Sequence, residues 1–211
     1  MSDKAANLVS ILKSQPVMPV LIIEKLEDAV PLARALAAGG LKAIEITMRT
    51  ACALDAIKAV AEESPDTLVG AGTILTPADY AAAVKAGSKF IVSPGATPAL
   101  FAAAKDSDVP FLPGTSTASE IMKAREEGLR TVKFFPAEQS GGAPFLKAIS
   151  SPIADMSFCP TGGISLKNAK DYLSLPNVVC VGGSWVAPKD LVAAGDWAGI
   201  TKLAAEAAAL R

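Results

Sequence analysis

One phrase recurs along the 211 residues of this chain: a short apolar or β-branched run ending in small residues, then an alanine-rich stretch with helical spacing. The runs are PVLII (19–23), AIEIT (43–47), TLVGAG (67–72), KFIVS (89–93), PFLPG (110–114), TVKFF (131–135), SFCPT (157–161) and VVCVG (178–182), eight in all. Between them lie LEDAVPLARALAAG, ALDAIKAVAEES, PADYAAAVKAG, PALFAAAKDS and ASEIMKAREEG, several closed by the glycine that ends a helix. Strict alternation requires crossovers, hence parallel strands covered by helices. Eight units predict a (β/α)8 TIM barrel below the usual size, with an extra N-terminal helix before it and DWAGITKLAAEAAALR as its last helix. An open doubly wound sheet is the alternative. No linker or shift of composition interrupts the pattern, so residues 1–211 are expected to form a single domain.

Charge and residue usage remove several function classes. A formal net charge of -1 provides no field for nucleic acid or an acidic membrane surface. The first residues, MSDKAANLVSILKSQ, contain no signal-like apolar run, and no stretch approaches membrane-spanning length, which predicts a cytoplasmic protein. Cys52, Cys159 and Cys180 are dispersed and odd in number, so free thiols are expected. Histidine is absent, which removes every mechanism that needs an imidazole base and most zinc sites. Neither a metal nor a cofactor is expected. Acid/base work must fall to Glu, Asp, Lys, Tyr or a thiol.

In a barrel the chemistry sits where strands end and helices begin, and there this chain places its unusual polar residues. A lysine between Val132 and Phe134 is costly to bury unless it is paired, neutral or chemically employed. Alternation along TVKFF puts Thr131, Lys133 and Phe135 on one face. In AIEITMR the same rule groups Glu45, Thr47 and Arg49 and leaves Ile44, Ile46 and Met48 for the helices. Thr73 is read on the face of Val69 and Ala71, at the mouth of its strand. A carboxylate, a guanidinium, an amine and a hydroxyl therefore converge, either as a functional site or as a buried ion pair of Glu45 with Lys133 or Arg49. Two later strand ends differ: Thr161-Gly162-Gly163-Ile164-Ser165 is read as opening a helix, and Gly182-Gly183-Ser184-Trp185 follows the last strand. Glycines allow close backbone approach, and this pair of loops commonly holds phosphate in barrels.

The segments GAGTILTP, KFIVSPGATP, PFLPGTSTASE, TVKFFPAEQSGG, CPTGGIS and VGGSWVAP, in this order, resemble the KDPG aldolase family over essentially the whole chain. The resemblance implies a class I aldolase, a homotrimer of small barrels, that cleaves 2-dehydro-3-deoxy-6-phosphogluconate to pyruvate and glyceraldehyde 3-phosphate in the Entner–Doudoroff route. It implies Lys133 as the imine-forming lysine and Glu45 as the general acid/base. Arg49 and Thr73 then resemble the groups on the pyruvate carboxylate, and Gly162, Gly163 and Ser184 the phosphate site, to which the reading of the glycine loops adds Gly183. Pro94 and Phe135 are expected to line the pocket. Activity on 4-hydroxy-2-oxoglutarate accompanies the family, and the preference between gluconate-type and galactonate-type C4 stereochemistry stays open. Two rival readings use the same residues: a phosphosugar isomerase or epimerase that needs Glu45 but no imine, and a catalytically silent phosphometabolite-binding barrel.

Overall fold

The computed structural model describes residues 3–211. Its strands are β1 (Val17–Leu21), β2 (Ala43–Thr47), β3 (Leu68–Gly72), β4 (Ile91–Val92), β5 (Phe111–Leu112), β6 (Gly114–Thr115), β7 (Thr131–Phe134), β8 (Ser157–Pro160) and β9 (Val181–Gly183). The helices are α1 (Asp3–Lys13), α2 (Ala29–Ala38), α3 (Ala53–Glu63), α4 (Pro77–Lys85), α5 (Pro98–Lys105), α6 (Ala118–Glu126), α7 (Gly142–Ile149), α8 (Ala169–Leu173), α9 (Lys189–Ala193) and α10 (Trp197–Ala208). Local chemistry explains several of their starts. Thr76 and Asp79 close a capping box on α4, Thr117 and Glu120 do so on α6, and proline opens α4 and α5, where its missing N–H costs nothing.

All paired strands are parallel. Six of them form a curled sheet in the order β5-β4-β3-β2-β1-β9, and β6-β7-β8 form a second, three-stranded sheet. Isolated parallel bridges, Phe158 with Val178 and Thr161 with Gly182, run between β8 and the β9 segment. The run PFLPG, expected as one strand, is divided into β5 and β6. Pro113 stands between them and has no N–H to donate to a ladder. The first run starts two residues earlier than expected, at Val17, and its Ile22 lies beyond the strand and is exposed.

Alternation divides the apolar residues into two layers. Ile44, Ile46, Val69, Ala71, Ile91, Val132 and Phe158 pack with the helices in the larger core. Met18, Ala43, Phe90, Val92, Leu112, Cys159 and Cys180 form a second core on the opposite, inner face. Leu8, Ile11 and Leu12 of α1 join that inner core, one face of a helix at i, i+3, i+4 spacing. Burying each such side chain contributes about 1.5–3 kcal/mol. The helix before β1 thus floors the inner layer on which the polar residues of β2 and β7 stand.

Candidate active site

Two polar side chains stand in the middle of regular strands on the inner face, Glu45 on β2 and Lys133 on β7. The Lys133 ammonium lies 3.4 Å from Glu45 Oε1, and the side chains are 5% and 3% exposed respectively. Register with β6 and β8 fixes the lysine: its N–H donates to Pro113 O at 2.8 Å, and Cys159 is its partner on β8. Its ammonium also sits 5.2 Å from the centroid of the Phe135 ring, within cation–π range. Glu45 has room only because Gly72 of β3, two residues beyond its register partner Gly70, carries no side chain: a Cβ there would fall on the carboxylate. Of the two ion pairs the sequence allowed, the one with Lys133 is present.

Arg49 is exposed just beyond β2, and its Nε donates to Thr73 Oγ1 at 3.0 Å. Thr73 does not share a face with Val69 and Ala71 as alternation suggested. Those two pack towards the helices, while β3 turns Gly70 and Gly72 inward against the Phe90 ring and the Glu45 carboxylate. Strand alternation ends at Gly72, and Thr73 has a φ of 60°, a left-handed conformation that is costly for a β-branched residue. That turn delivers its hydroxyl to Arg49.

Above this lies a cavity of about 530 Å³ whose walls include Arg49, Phe135, Thr161, Gly162, Gly163 and Ser184. Gly183 lines it too, beneath the Trp185 indole, whose ring occupies the space a Cβ on Gly183 would take. Glu45, Lys133, Thr73 and Pro94 are not among its walls. Pro94 is half-buried after β4, and its carbonyl takes the place of a side chain on Gly114.

The glycine loop after β8 is ordered by its carbonyls. Thr161 O accepts from Ala137 N at 2.8 Å, Gly162 O from Glu138 N at 3.1 Å, and Gly163 O from Asn168 Nδ2 at 3.1 Å. In a trans peptide the carbonyl and the following N–H point in opposite directions. The N–H groups of Gly162, Gly163 and Ile164 therefore turn away from those donors, and all three residues line the cavity. With φ of 105° at Gly162 and 76° at Gly163, only glycine adopts this path cheaply. Contrary to the sequence expectation, the loop does not open a helix directly: α8 begins at Ala169, and the N–H groups turned from the braced carbonyls belong to the loop itself.

Sequence reasoning missed the segment after β1. Ile22, Ile23, Glu24 and Lys25 line the cavity, and Glu24 pairs with Lys189 across its rim at 2.7 Å. The available signal was a charged Glu24-Lys25 immediately after an apolar strand. The free thiols are as expected. Cys159 and Cys180 are buried with sulfurs 3.4 Å apart, and the hydrogen bond with Cys159, together with burial, pushes the Cys180 thiol well up. Among the described residues no helix is long and apolar enough to cross a membrane.

The family model for KDPG and KHG aldolase matches residues 8–203. The chain is 52% identical over 207 residues to the KHG/KDPG aldolase of Escherichia coli K12, covering 98% of this chain and 97% of that one. A KDPG aldolase of Legionella pneumophila, solved with pyruvate captured as a covalent carbinolamine, superposes with a TM-score of 0.93 at 44% identity, over 95% of this chain and 98% of the other. The 2-keto-3-deoxy-6-phosphogluconate aldolase of Zymomonas mobilis, solved with 3-phosphoglycerate, gives 0.94 at 46% identity, over 98% and 97%. Fold and relatives together define the class, that of the aldolases, lyases that break carbon–carbon bonds. Within it, this chain belongs to the KDPG and KHG aldolase family.

Proposed function

We propose that this chain cleaves 2-dehydro-3-deoxy-6-phosphogluconate to pyruvate and glyceraldehyde 3-phosphate, with Lys133 as the imine-forming amine and Glu45 as the proton carrier. The observation that carries the reading is the buried 3.4 Å contact between Lys133 and Glu45. A ketone does not readily release a carbanion, whereas an iminium accepts the electrons of the breaking bond as an enamine. Lys133 passes its ammonium proton to Glu45 and adds to C2 as the neutral amine, and Glu45 returns that proton to the carbinolamine hydroxyl, which leaves as water to give the iminium. Glu45 takes the C4 hydroxyl proton as the C3–C4 bond breaks, then returns a proton to C3 of the enamine, so each step leaves it ready for the next. Hydrolysis of the pyruvate imine frees Lys133.

The binding roles belong to the same proposal. Arg49, held by Thr73, takes the carboxylate of the pyruvate half. Gly162, Gly163, Gly183 and Ser184 take the phosphate, supported by the three loop amides turned from their braced carbonyls. Phe135, beside the Lys133 ammonium, confines the reacting carbons, and Pro94 is kept as a pocket residue on family resemblance alone. The unphosphorylated 4-hydroxy-2-oxoglutarate is proposed as a second substrate, since the E. coli relative is a KHG/KDPG aldolase. The two sheets are read as arcs of one closed (β/α)8 barrel over residues 1–211, supported by the Phe158–Val178 and Thr161–Gly182 bridges on one side and the Leu112-Pro113-Gly114 continuity on the other. A cytoplasmic homotrimer completes the proposal, on family resemblance.

Incubation with pyruvate and borohydride, followed by peptide mapping, tests the reading. A stable adduct on Lys133 that is lost in Lys133→Ala is expected. An isomerase or a silent binding barrel gains no adduct, and an adduct on Lys85 or Lys147 overturns the assignment of the lysine.

A further inference from the structure

The glycine loop needs a reason to keep its amides forward. Two adjacent glycines have little intrinsic preference, and a flip of the Gly162–Gly163 or the Gly163–Ile164 peptide would present a carbonyl oxygen, which repels phosphate, where an N–H stood. One clamp opposes each flip from behind. Asn168 Nδ2 holds Gly163 O, and the orientation of the amide is set because Asn168 Oδ1 accepts from Ser165 N at 2.8 Å. Gly162 O is held by Glu138 N, which belongs to the turn after β7 and must itself be held.

Tyr172 holds it. This tyrosine of α8 is 1% exposed, and its hydroxyl donates a short hydrogen bond to Glu138 Oε1. Glu138 lies directly against the loop: a Cβ on Gly163 would come within 2.6 Å of Glu138 Cγ. A carboxylate so close to a phosphate site would oppose binding unless turned aside and given a donor, and the Tyr172 hydroxyl does both. Burial, and then acceptance by Glu138, push that phenol up, so it remains a donor throughout the working pH range. Asn168 and Tyr172 thus come from one short segment and reach the loop from two sides.

We infer that Asn168 and the Tyr172–Glu138 pair are positioning residues that hold the Gly162–Gly163 loop in its phosphate-accepting form. The inference rests on the phosphate reading of that loop. None of the three side chains is required to touch substrate, and each acts through the loop backbone.

The test compares kcat and KM for the phosphorylated substrate and for 4-hydroxy-2-oxoglutarate in Tyr172→Phe, Asn168→Ala, Glu138→Ala and Glu138→Gln. In the first three, KM for the phosphorylated substrate should rise about tenfold, the low end for a lost hydrogen bond to the charged Glu138 and the high end for the neutral bond from Asn168 to Gly163 O. Cleavage of 4-hydroxy-2-oxoglutarate and borohydride trapping of pyruvate should stay within about twofold of wild type, given that the lost bonds are remote from the reacting carbons. Glu138→Gln should recover wild-type KM, because its amide oxygen still accepts from Tyr172. Equal losses on both substrates, or an unchanged KM in the folded variants, overturn the inference. Glu138 is exposed, so its alanine and glutamine variants keep the test open if the buried Tyr172 variant does not fold. A wild type with no preference for the phosphorylated substrate removes the phosphate reading and this inference together. Preference kept in wild type and in all variants removes the inference alone.

Discussion

Lys133 and Glu45 meet at 3.4 Å in a layer floored by Cys159, Cys180 and the apolar face of α1. Such a pair is poor value for stability, since desolvating two charges offsets most of their attraction and well-packed apolar residues do as well or better. Their placement is explained by chemistry that needs an amine and a carboxylate within reach of one carbon skeleton.

Glu45→Gln keeps the shape and removes proton transfer. Turnover should fall by roughly 10²–10⁴-fold, the usual worth of a positioned acid/base. Pyruvate trapping on Lys133 should slow but persist, because the amine remains. Steady-state assays beside borohydride trapping check both halves, and wild-type turnover would return Glu45 to a purely structural ion pair.

Much of this site was legible because Glu45 and Lys133 sit in regular strands, where a period of two decides which face a side chain takes. The same rule failed one residue past a strand end, at Thr73, whose positive φ no propensity of threonine foretells. Pro113 dividing β5 from β6 could have been anticipated from the proline itself. The loop braces could not: Tyr172 and Glu138 are 34 residues apart, and Asn168 reads as an ordinary turn residue until the chain folds. Pattern exposes faces, whereas contacts between loops are set by the parallel pairing that brings β7 beside β8.

Thr73 separates strain from function. Thr73→Gly removes a left-handed β-branched residue, a relief of about 1–3 kcal/mol set against about 0.4–1 kcal/mol of added unfolded-state entropy. Thermal stability should therefore hold or rise slightly. Loss of the hydroxyl that orients Arg49 should meanwhile raise KM about tenfold for both substrates, the size of a lost hydrogen bond to a charged group. Thr73→Ala should show the same KM without the gain in stability, and Thr73→Ser should resemble wild type in KM. Melting curves and kinetics on the three variants decide it.

Acid should weaken the α6 region first. Hydrogen bonds from Lys105 and Lys123, at 2.6 and 2.7 Å, hold the Glu127 carboxyl down at about 2 from the ordinary 4.5. The Arg125 hydrogen bond likewise lowers Asp155. A carboxylate with a depressed folded-state value stabilises above its unfolded value and loses that contribution as pH falls towards the folded one. Stability attributable to Glu127 is thus complete above roughly pH 5 and disappears between about 4.5 and 2. Melting temperature against pH should fall less steeply in that window for Glu127→Gln than for wild type. Parallel curves would mean that the exposed lysines contribute nothing in solution.

Gly72→Ala tests whether the position of the Glu45 carboxylate matters, without replacing either reacting side chain. Gly72 has no positive φ, so the backbone accepts alanine, but the added methyl would land on the Glu45 head group. That head group has little room to give, being 3% exposed and held by Lys133. Overpacking of this kind costs about 1–3 kcal/mol of stability. Displacing a proton carrier by about an ångström costs on the order of 10²-fold in rate. A folded Gly72→Ala enzyme should therefore lose turnover about equally on the phosphorylated substrate and on 4-hydroxy-2-oxoglutarate, since both need the same proton transfers. Gly95→Ala is the stability control, because a Cβ there meets nothing within 4 Å. Wild-type turnover in Gly72→Ala would show that Glu45 tolerates displacement, and with it that the 3.4 Å geometry is not what the reaction uses.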